Sequence, residues 1–182
     1  MGKIKVHEFT SLDGAIGAPT WTMDYGFPDD LAQAIDGFIA SCTGILLGRT
    51  TYQEFGPAWS TRTVEEDAGA PFFNRTPKYV VSSTLRDTDW GPARVLGGYE
   101  RTAIEKLKAD SDGDLYVSGS GTLVRAMIAD GLVDELHLVV YPVALGAGPY
   151  LFPPGTGTTS LALAGVADLS NGAVHLTYGP AA

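Results

Sequence analysis

Residues 115–128 read Leu115-Tyr116-Val117-Ser118-Gly119-Ser120-Gly121-Thr122-Leu123 and continue to Ile128. An apolar run ends in a Gly/Ser turn, and an amphipathic helical pattern begins at once. That order builds anion sites. The first N–H groups of a helix have no partner within it, and the helix dipole favours negative charge there. Glycine lets the backbone approach a phosphate with no Cβ in the way. Gly119, Ser120, Gly121 and Thr122 are therefore a candidate phosphate or dinucleotide turn. The pattern departs from G-x-G-x-x-G, because Val124 stands where the third glycine would be. The competing reading is a turn that only turns.

Two further segments have the same build. In Leu46-Leu47-Gly48-Arg49-Thr50-Thr51-Tyr52 an apolar strand pattern runs into a helix start. Gly48 permits close approach, Thr50 and Thr51 offer hydroxyls, and Arg49 supplies a planar fork suited to a phosphate monoester. The alternative is a capped helix with a solvated arginine. In Val80-Val81-Ser82-Ser83-Thr84-Leu85-Arg86, hydroxyls and an arginine follow a strand, with ordinary turn chemistry as the alternative for Ser82 and Ser83. If strands 44–48, 78–82 and 115–118 are parallel neighbours, all three loops open on one sheet edge, where ligands of open α/β sheets bind.

The elements that must position these loops follow from periodicity. Strands are expected at 4–9, 44–48, 78–82, 94–96, 115–118 and 135–141. Helices are expected from Asp29 or Asp30 to about Cys42, from Thr50 to Phe55, over 100–109 and over 122–130. Residues 65–74 are ambiguous, with Glu65-Glu66-Asp67 read as a solvated helix start. Segments 161–168 and 173–178 alternate and are joined by Ser170-Asn171-Gly172, a hairpin signal. The expected fold is a single three-layer α/β domain over 1–182, with a mostly parallel mixed sheet and an antiparallel C-terminal hairpin.

Bulk properties restrict the partners. The 182 residues are 45% hydrophobic and 18% charged, a globular composition. A net charge of −9 argues against nucleic acid or an anionic membrane as partner. It leaves a phosphorylated ligand open, since a few local donors dominate at contact distance. No apolar run approaches a membrane span, the N-terminus reads as a strand rather than a signal peptide, and cytoplasmic residence is expected. The lone cysteine, Cys42, forms no internal disulfide or C-x-x-C metal site and reads as an inert residue closing a helix face.

Taken together, Ser11-Leu12-Asp13-Gly14, residues 46–52, residues 80–85, residues 117–123, Asp134-Glu135-Leu136-His137-Leu138 and Pro142 to Gly148 with Leu151-Phe152 resemble the dihydrofolate-reductase-like family. The resemblance is to stand-alone relatives of the riboflavin-biosynthesis reductase, the RibD C-terminal domain, and covers nearly the whole chain. It implies an eight-stranded sheet with NADPH across its strand ends. It implies that the Gly48 loop and Ser120, Gly121 and Thr122 hold the pyrophosphate. It puts Arg49 with Ser82 or Ser83 near the 2′-phosphate, favouring NADP over NAD. It makes the segment from Ser11 and Asp13 the start of a flexible loop beside the nicotinamide, and it suggests a homodimer.

The substrate side is less determined. Phe27-Pro28-Asp29-Asp30-Leu31 resembles the stretch by which dihydrofolate reductases present a carboxylate, with Asp30 at the acid's place. Asp30 is equally a first-turn residue stabilising its helix. Trp21 and Tyr25, with Phe55 and Trp59, are candidates to line a flat-ring pocket or to be core. Lys3, Lys5 and Arg62 are available for a substrate phosphate, although no spacing selects them. His7, His137 and His175 sit in strand patterns and read as sheet-surface or interface residues. The zinc deaminase of bifunctional riboflavin enzymes has no counterpart here, and the sequence calls for no metal or flavin.

The expected activity is NADPH-dependent hydride transfer to a small conjugated ring, pterin-like or resembling a pyrimidine precursor of riboflavin. Two alternatives differ in class: a dinucleotide-binding sensor or scaffold without turnover, and a dimerising domain with its interface on 135–141 and 142–152.

Overall fold

Strand β1 (Ile4–Ser11) alternates apolar with polar residues from Ile4 to His7 and is buried along nearly its whole length, with a paired strand on either side in the sheet. The computed structural model describes residues 2–17 and 19–181. After β1, a 3-10 turn spans Thr20–Tyr25 and α1 spans Asp29–Ile39. Then come β2 (Cys42–Gly48), α2 (Arg49–Trp59), α3 (Ala70–Arg75), β3 (Lys78–Val81) and β4 (Ala93–Gly97). The chain continues through α4 (Arg101–Asp110), β5 (Asp114–Val117), α5 (Gly121–Ala129) and β6 (Glu135–Tyr141). The hairpin β7 (Leu161–Asp168) and β8 (Val174–Pro180) closes it.

The eight strands lie in the order β4-β3-β2-β5-β1-β6-β8-β7. From β4 to β6 every pairing is parallel, and β8 pairs antiparallel with both β6 and β7. The hairpin turn has Gly172 at φ 85°, a conformation that glycine adopts without strain. Side chains alternate along β1. Ile4 and Val6 pack with Ile104 and Leu107 of α4 and Leu123, Val124 and Met127 of α5. The opposite face carries Phe38, Ile39, Tyr52 and Phe73 from α1, α2 and α3. The domain therefore has three layers, helices on both sides of a mostly parallel sheet.

Several expectations need correction. Helix α1 stops at Ile39, and Cys42 instead opens β2, where it pairs with Asp114. Burial pushes the Cys42 thiol up to about 12. Helix α2 begins at Arg49 and reaches Trp59, with Pro57 inside it. Glu65-Glu66-Asp67 starts no helix: the Glu66 carboxylate accepts the Thr63 N–H, and Asp67 accepts from Gly69 and pairs with Arg62. Strand β6 lies between β1 and β8, so both its edges are already paired and it offers none to a second chain. Segment 142–152 is stapled within the chain, with Leu151 buried. Exposed large apolar residues of this region are Leu145 and Phe152 within segment 142–152 and Leu163 and Val166 on the edge strand β7.

The histidines are not on an open surface. His7 and His137 are buried in the layer that carries α1. The His137 ring stacks on Phe38 at 4.4 Å, its Nδ1 is 3.0 Å from His175 Nε2, and His7 Nδ1 is 3.1 Å from the Tyr116 hydroxyl. Burial lowers all three, His7 to about 3, so they are packed as neutral imidazoles. The basic residues considered for a substrate phosphate are also engaged. Lys3 pairs with Glu135, Lys5 with Asp114, and Arg62 with Asp67 while lying over Trp59. Trp59 and Phe55 pack on Phe73. No helix among the described residues is long and apolar enough to cross a membrane.

Candidate active site at the carboxyl edge of the sheet

Strands β3, β2 and β5 are adjacent and parallel, so the loops after Val81, Gly48 and Val117 emerge at one edge. Two of them interlock. A Cβ built on Gly48 would collide with the Ser120 hydroxyl and lie 3.2 Å from the Ser120 nitrogen. One on Gly119, which has φ 77°, would lie 2.8 Å from Thr51 Oγ1. One on Gly121 would lie 2.7 Å from Ile16 Cδ1. At Gly48 the Ser120 Cβ and nitrogen, and at Gly119 a positive φ with Thr51 close by, leave no ready place for a side chain, and the N-termini of α2 and α5 come side by side.

Neither terminus is capped by a side chain. The Ncap residues are Gly48 and Ser120, both extended, and the Ser120 hydroxyl makes no cap bond although serine commonly does. First-turn N–H groups of both helices thus converge on one place, the arrangement that favours an anion with two phosphates. Arg49 and Thr50 lie exposed at the start of α2, and Arg49 forms no hydrogen bond or ion pair among the described residues. Thr122 is exposed and accepts from Arg125 at 3.2 Å.

The third loop is more committed. The Ser82 hydroxyl accepts the Thr84 and Leu85 N–H groups at 3.2 and 2.9 Å, which is turn chemistry. Ser83 is exposed and bonds to nothing among the described residues. Of this pair, Ser83 is the free hydroxyl.

The segment from Ser11 is a staple rather than a free loop. Ser11 Oγ accepts the Ala15 N–H and donates to Asp13 at 2.6 Å. Asp13 accepts the N–H groups of Leu145 and Gly146 at 3.1 and 2.8 Å. The Ser11 hydroxyl, followed by these two amides, pulls the Asp13 carboxyl down to about 2. Ile16 and Leu151 add backbone bonds between the same two segments. The result holds Ile16 over the start of α5.

Trp21 and Tyr25 are half-buried, each with its ring 5.4 Å from Tyr141, in a cluster with Leu31 and Val139. Trp21 Nε1 is buried without a partner. Asp30 is elsewhere occupied. Oδ2 accepts the Ser170 N–H at 2.7 Å, and Oδ1 accepts the Ser170 hydroxyl at 3.0 Å and the Leu31 N–H at 2.9 Å. These bonds, the Ser170 N–H first, lower its pKa. They anchor α1 to the β7–β8 turn. A carboxylate held ionised in this way is a poor proton donor at neutral pH.

Three residues of the edge escaped the sequence reading. Ile16 and Arg125 belong to the structure around Gly121, and no local pattern marks them. Glu8 carried a signal: it shares the strand parity of Ile4 and Val6, the inward face of β1. It is buried, one oxygen has no partner, and burial raises its carboxyl to about 8. Clefts of about 520 Å³ beside Arg62 and Asn74 and about 390 Å³ beside Tyr79 and Lys106 lie away from this edge.

An eight-stranded sheet with this order, an antiparallel C-terminal hairpin and paired glycine turns on its carboxyl edge defines a dihydrofolate-reductase-like domain. The chain belongs to the RibD C-terminal domain family, whose profile matches residues 2–175. YyaP of Bacillus subtilis (strain 168) is 27% identical over 173 residues, 92% of this chain and 87% of YyaP. A protein of Shewanella sp. PV-4 named for riboflavin biosynthesis has the same fold across the full length of both chains, at 22% identity and a TM-score of 0.79. The diaminohydroxyphosphoribosylaminopyrimidine deaminase/5-amino-6-(5-phosphoribosylamino)uracil reductase of Thermotoga maritima matches at 14% identity and a TM-score of 0.68, over 99% of this chain and 57% of that one.

Proposed function

We propose that this protein is an NADPH-dependent reductase of a small conjugated ring, of the pyrimidine or pterin kind. The observation that carries the proposal is the interlock of Gly48 with Ser120 and of Gly119 with Thr51. It supports a cradle in which two helix N-termini face one pyrophosphate. Arg49, free and exposed beside it, with Ser83 on the next strand's loop, suits a further phosphate monoester such as the 2′-phosphate. NADPH, when bound, supplies the hydride. The chain's residues orient the donor and shield it from water. Ile16, fixed by the Ser11–Asp13 staple, covers the start of α5. The ring substrate would lie toward α1, near Trp21 and Tyr141, where the orphaned Trp21 Nε1 offers a donor.

NADPH titration by fluorescence or calorimetry tests the proposal. Saturable binding, with oxidation of NADPH by at least one member of a pyrimidine and pterin panel, is expected. Absence of saturable binding sinks it. One observation favours a second reading, a dinucleotide sensor without turnover: Asp30 is committed to Ser170 and so supplies no proton. Affinity for NADPH without oxidation on any panel member would support that reading instead.

A further inference from the structure

The side chain that the site leaves unexplained is Glu8. It follows Ile4 and Val6 on the face of β1 that packs against α4 and α5, and it is 6% exposed. Strand β5 ends at Val117, so beside Glu8 the sheet gives way to the Gly119–Ser120 turn. The Gly119 backbone N–H faces the carboxyl and favours its ionised form. Glu8 Oε1 lies 3.8 Å from the place of a Gly119 Cβ, and Thr51 Oγ1 lies 2.8 Å from that same place. The carboxyl is thus under the seam where the starts of α2 and α5 meet.

Among the described residues no cation pairs with it. Strand β6 places Leu138 opposite it, and from β5 the Tyr116 hydroxyl feels its charge. Helix α2 contributes Thr51, and the α2 cation Arg49 is exposed. The α5 cation, Arg125, is turned to the Tyr150 carbonyl and Thr122. Burial holds the carboxyl up at about 8, against the Gly119 N–H, so at neutral pH it keeps its proton. Oε1 is left without any hydrogen bond. A buried polar atom without a partner, aimed at a phosphate-type turn, calls for a ligand atom.

We propose that Glu8 is a cofactor-binding residue that acts as a carboxylic acid, donating its O–H to a phosphate oxygen of the dinucleotide held by the Gly119–Gly121 turn. This rests on the NADPH reading above. The proton stays on Glu8 throughout, and no bond is made or broken. An ionised Glu8 would set a second negative charge against the phosphate in a dry place. Only the protonated protein then binds, and affinity falls as pH rises through the acid's pKa.

The test measures Kd against pH, from about pH 7 to about pH 9.5, for NADPH and for ADP-ribose. ADP-ribose carries the pyrophosphate diester without the nicotinamide. Both Kd values should be flat to about pH 8 and then climb towards about tenfold per pH unit. Glu8→Gln keeps a donor and cannot ionise, so its profile should be flat. Glu8→Ala should bind more weakly throughout. A flat wild-type profile overturns the inference without any variant, as does a slope that persists in Glu8→Gln. A slope with NADPH but not ADP-ribose puts the acid at the nicotinamide end and overturns the phosphate assignment. No NADPH binding at any pH overturns the cofactor reading itself, and the role of Glu8 falls with it.

Discussion

The α-carbon of Gly48 abuts the side chain of Ser120, leaving no room for a methyl group between the start of α2 and the start of α5. Gly48 has φ −77°, which any residue adopts, so the requirement is one of space and not of backbone conformation. Gly48→Ala should push the two N-termini apart and weaken NADPH binding by at least about tenfold, roughly 1.4 kcal/mol. Adding Ser120→Gly removes the hydroxyl clash but leaves the backbone nitrogen, so part of the loss should return. Titrations of both variants, with melting curves as a folding control, check this. An alanine variant that binds like wild type would take this contact out of the site.

Arg49 is the free cation beside that seam, and its worth should depend on the ligand. Hydrogen bonds to a charged group contribute about 1.5–3 kcal/mol. Arg49→Ala should therefore weaken NADPH by about tenfold to a hundredfold while NADH, which lacks the 2′-phosphate, changes little. Arg49→Lys should recover only part, since an ammonium lacks the planar fork. Paired NADPH and NADH titrations read this out, and equal losses for the two would disprove the 2′-phosphate assignment.

The difference between what was legible and what was not follows the range of the interactions. Gly48, Gly119 and Gly121 were visible because strand, turn and helix start are consecutive in the chain. So was the hairpin at Gly172, where a local φ decides the residue. The partners of these loops were not visible. That Ser120 meets Gly48, or Thr51 meets Gly119, depends on β2 and β5 lying side by side, a pairing set by the whole sheet. Asp30 was misleading for the same reason. Its motif resembles that of an acid, while its partner, Ser170, lies on a hairpin far along the chain. Glu8 was legible in principle, because a carboxylate on the parity of Ile4 and Val6 has to be buried.

Asp30 should matter to the fold more than to chemistry. Its carboxyl is held below its ordinary range, so the folded protein favours the ionised form. That contribution is present above the unfolded pKa and is lost as pH falls through the folded one. Asp30→Ala and Ser170→Ala should lower Tm in the same direction at neutral pH, and the double variant should lose less than the sum of the two. Any NADPH oxidation the wild type shows should survive in Asp30→Asn. A fall in rate with rising pH that is present in the wild type and absent from Asp30→Asn would restore the proton-donor role.

Lys78 gives a stability prediction independent of the site. It is 1% exposed at the start of β3 and pairs with no carboxylate among the described residues. Its Nζ donates to the carbonyls of Asn74, Thr76 and Gly91 at 3.5, 3.0 and 3.3 Å, and lies 4.3 Å from the centre of the Trp90 ring. Burial lowers it from 10.5 to about 8. Between those values the unfolded chain binds the proton and the folded one does not, so this group's contribution to stability rises with pH across that window and is level outside it. Lys78→Met removes the titration but strips three carbonyls of their donor. The loss of those bonds should outweigh relief of the buried charge, at about 2–4 kcal/mol. Urea denaturation of wild type and variant at about pH 7 and about pH 10 measures both terms. The variant should be less stable at each pH, and the gap should widen at the higher one, because wild-type Lys78 is then neutral and no longer opposes its own burial. A gap that stays level would mean that the three carbonyls and the Trp90 ring compensate the burial of the charged Lys78 in full, and a gap that narrows that they do more than compensate it.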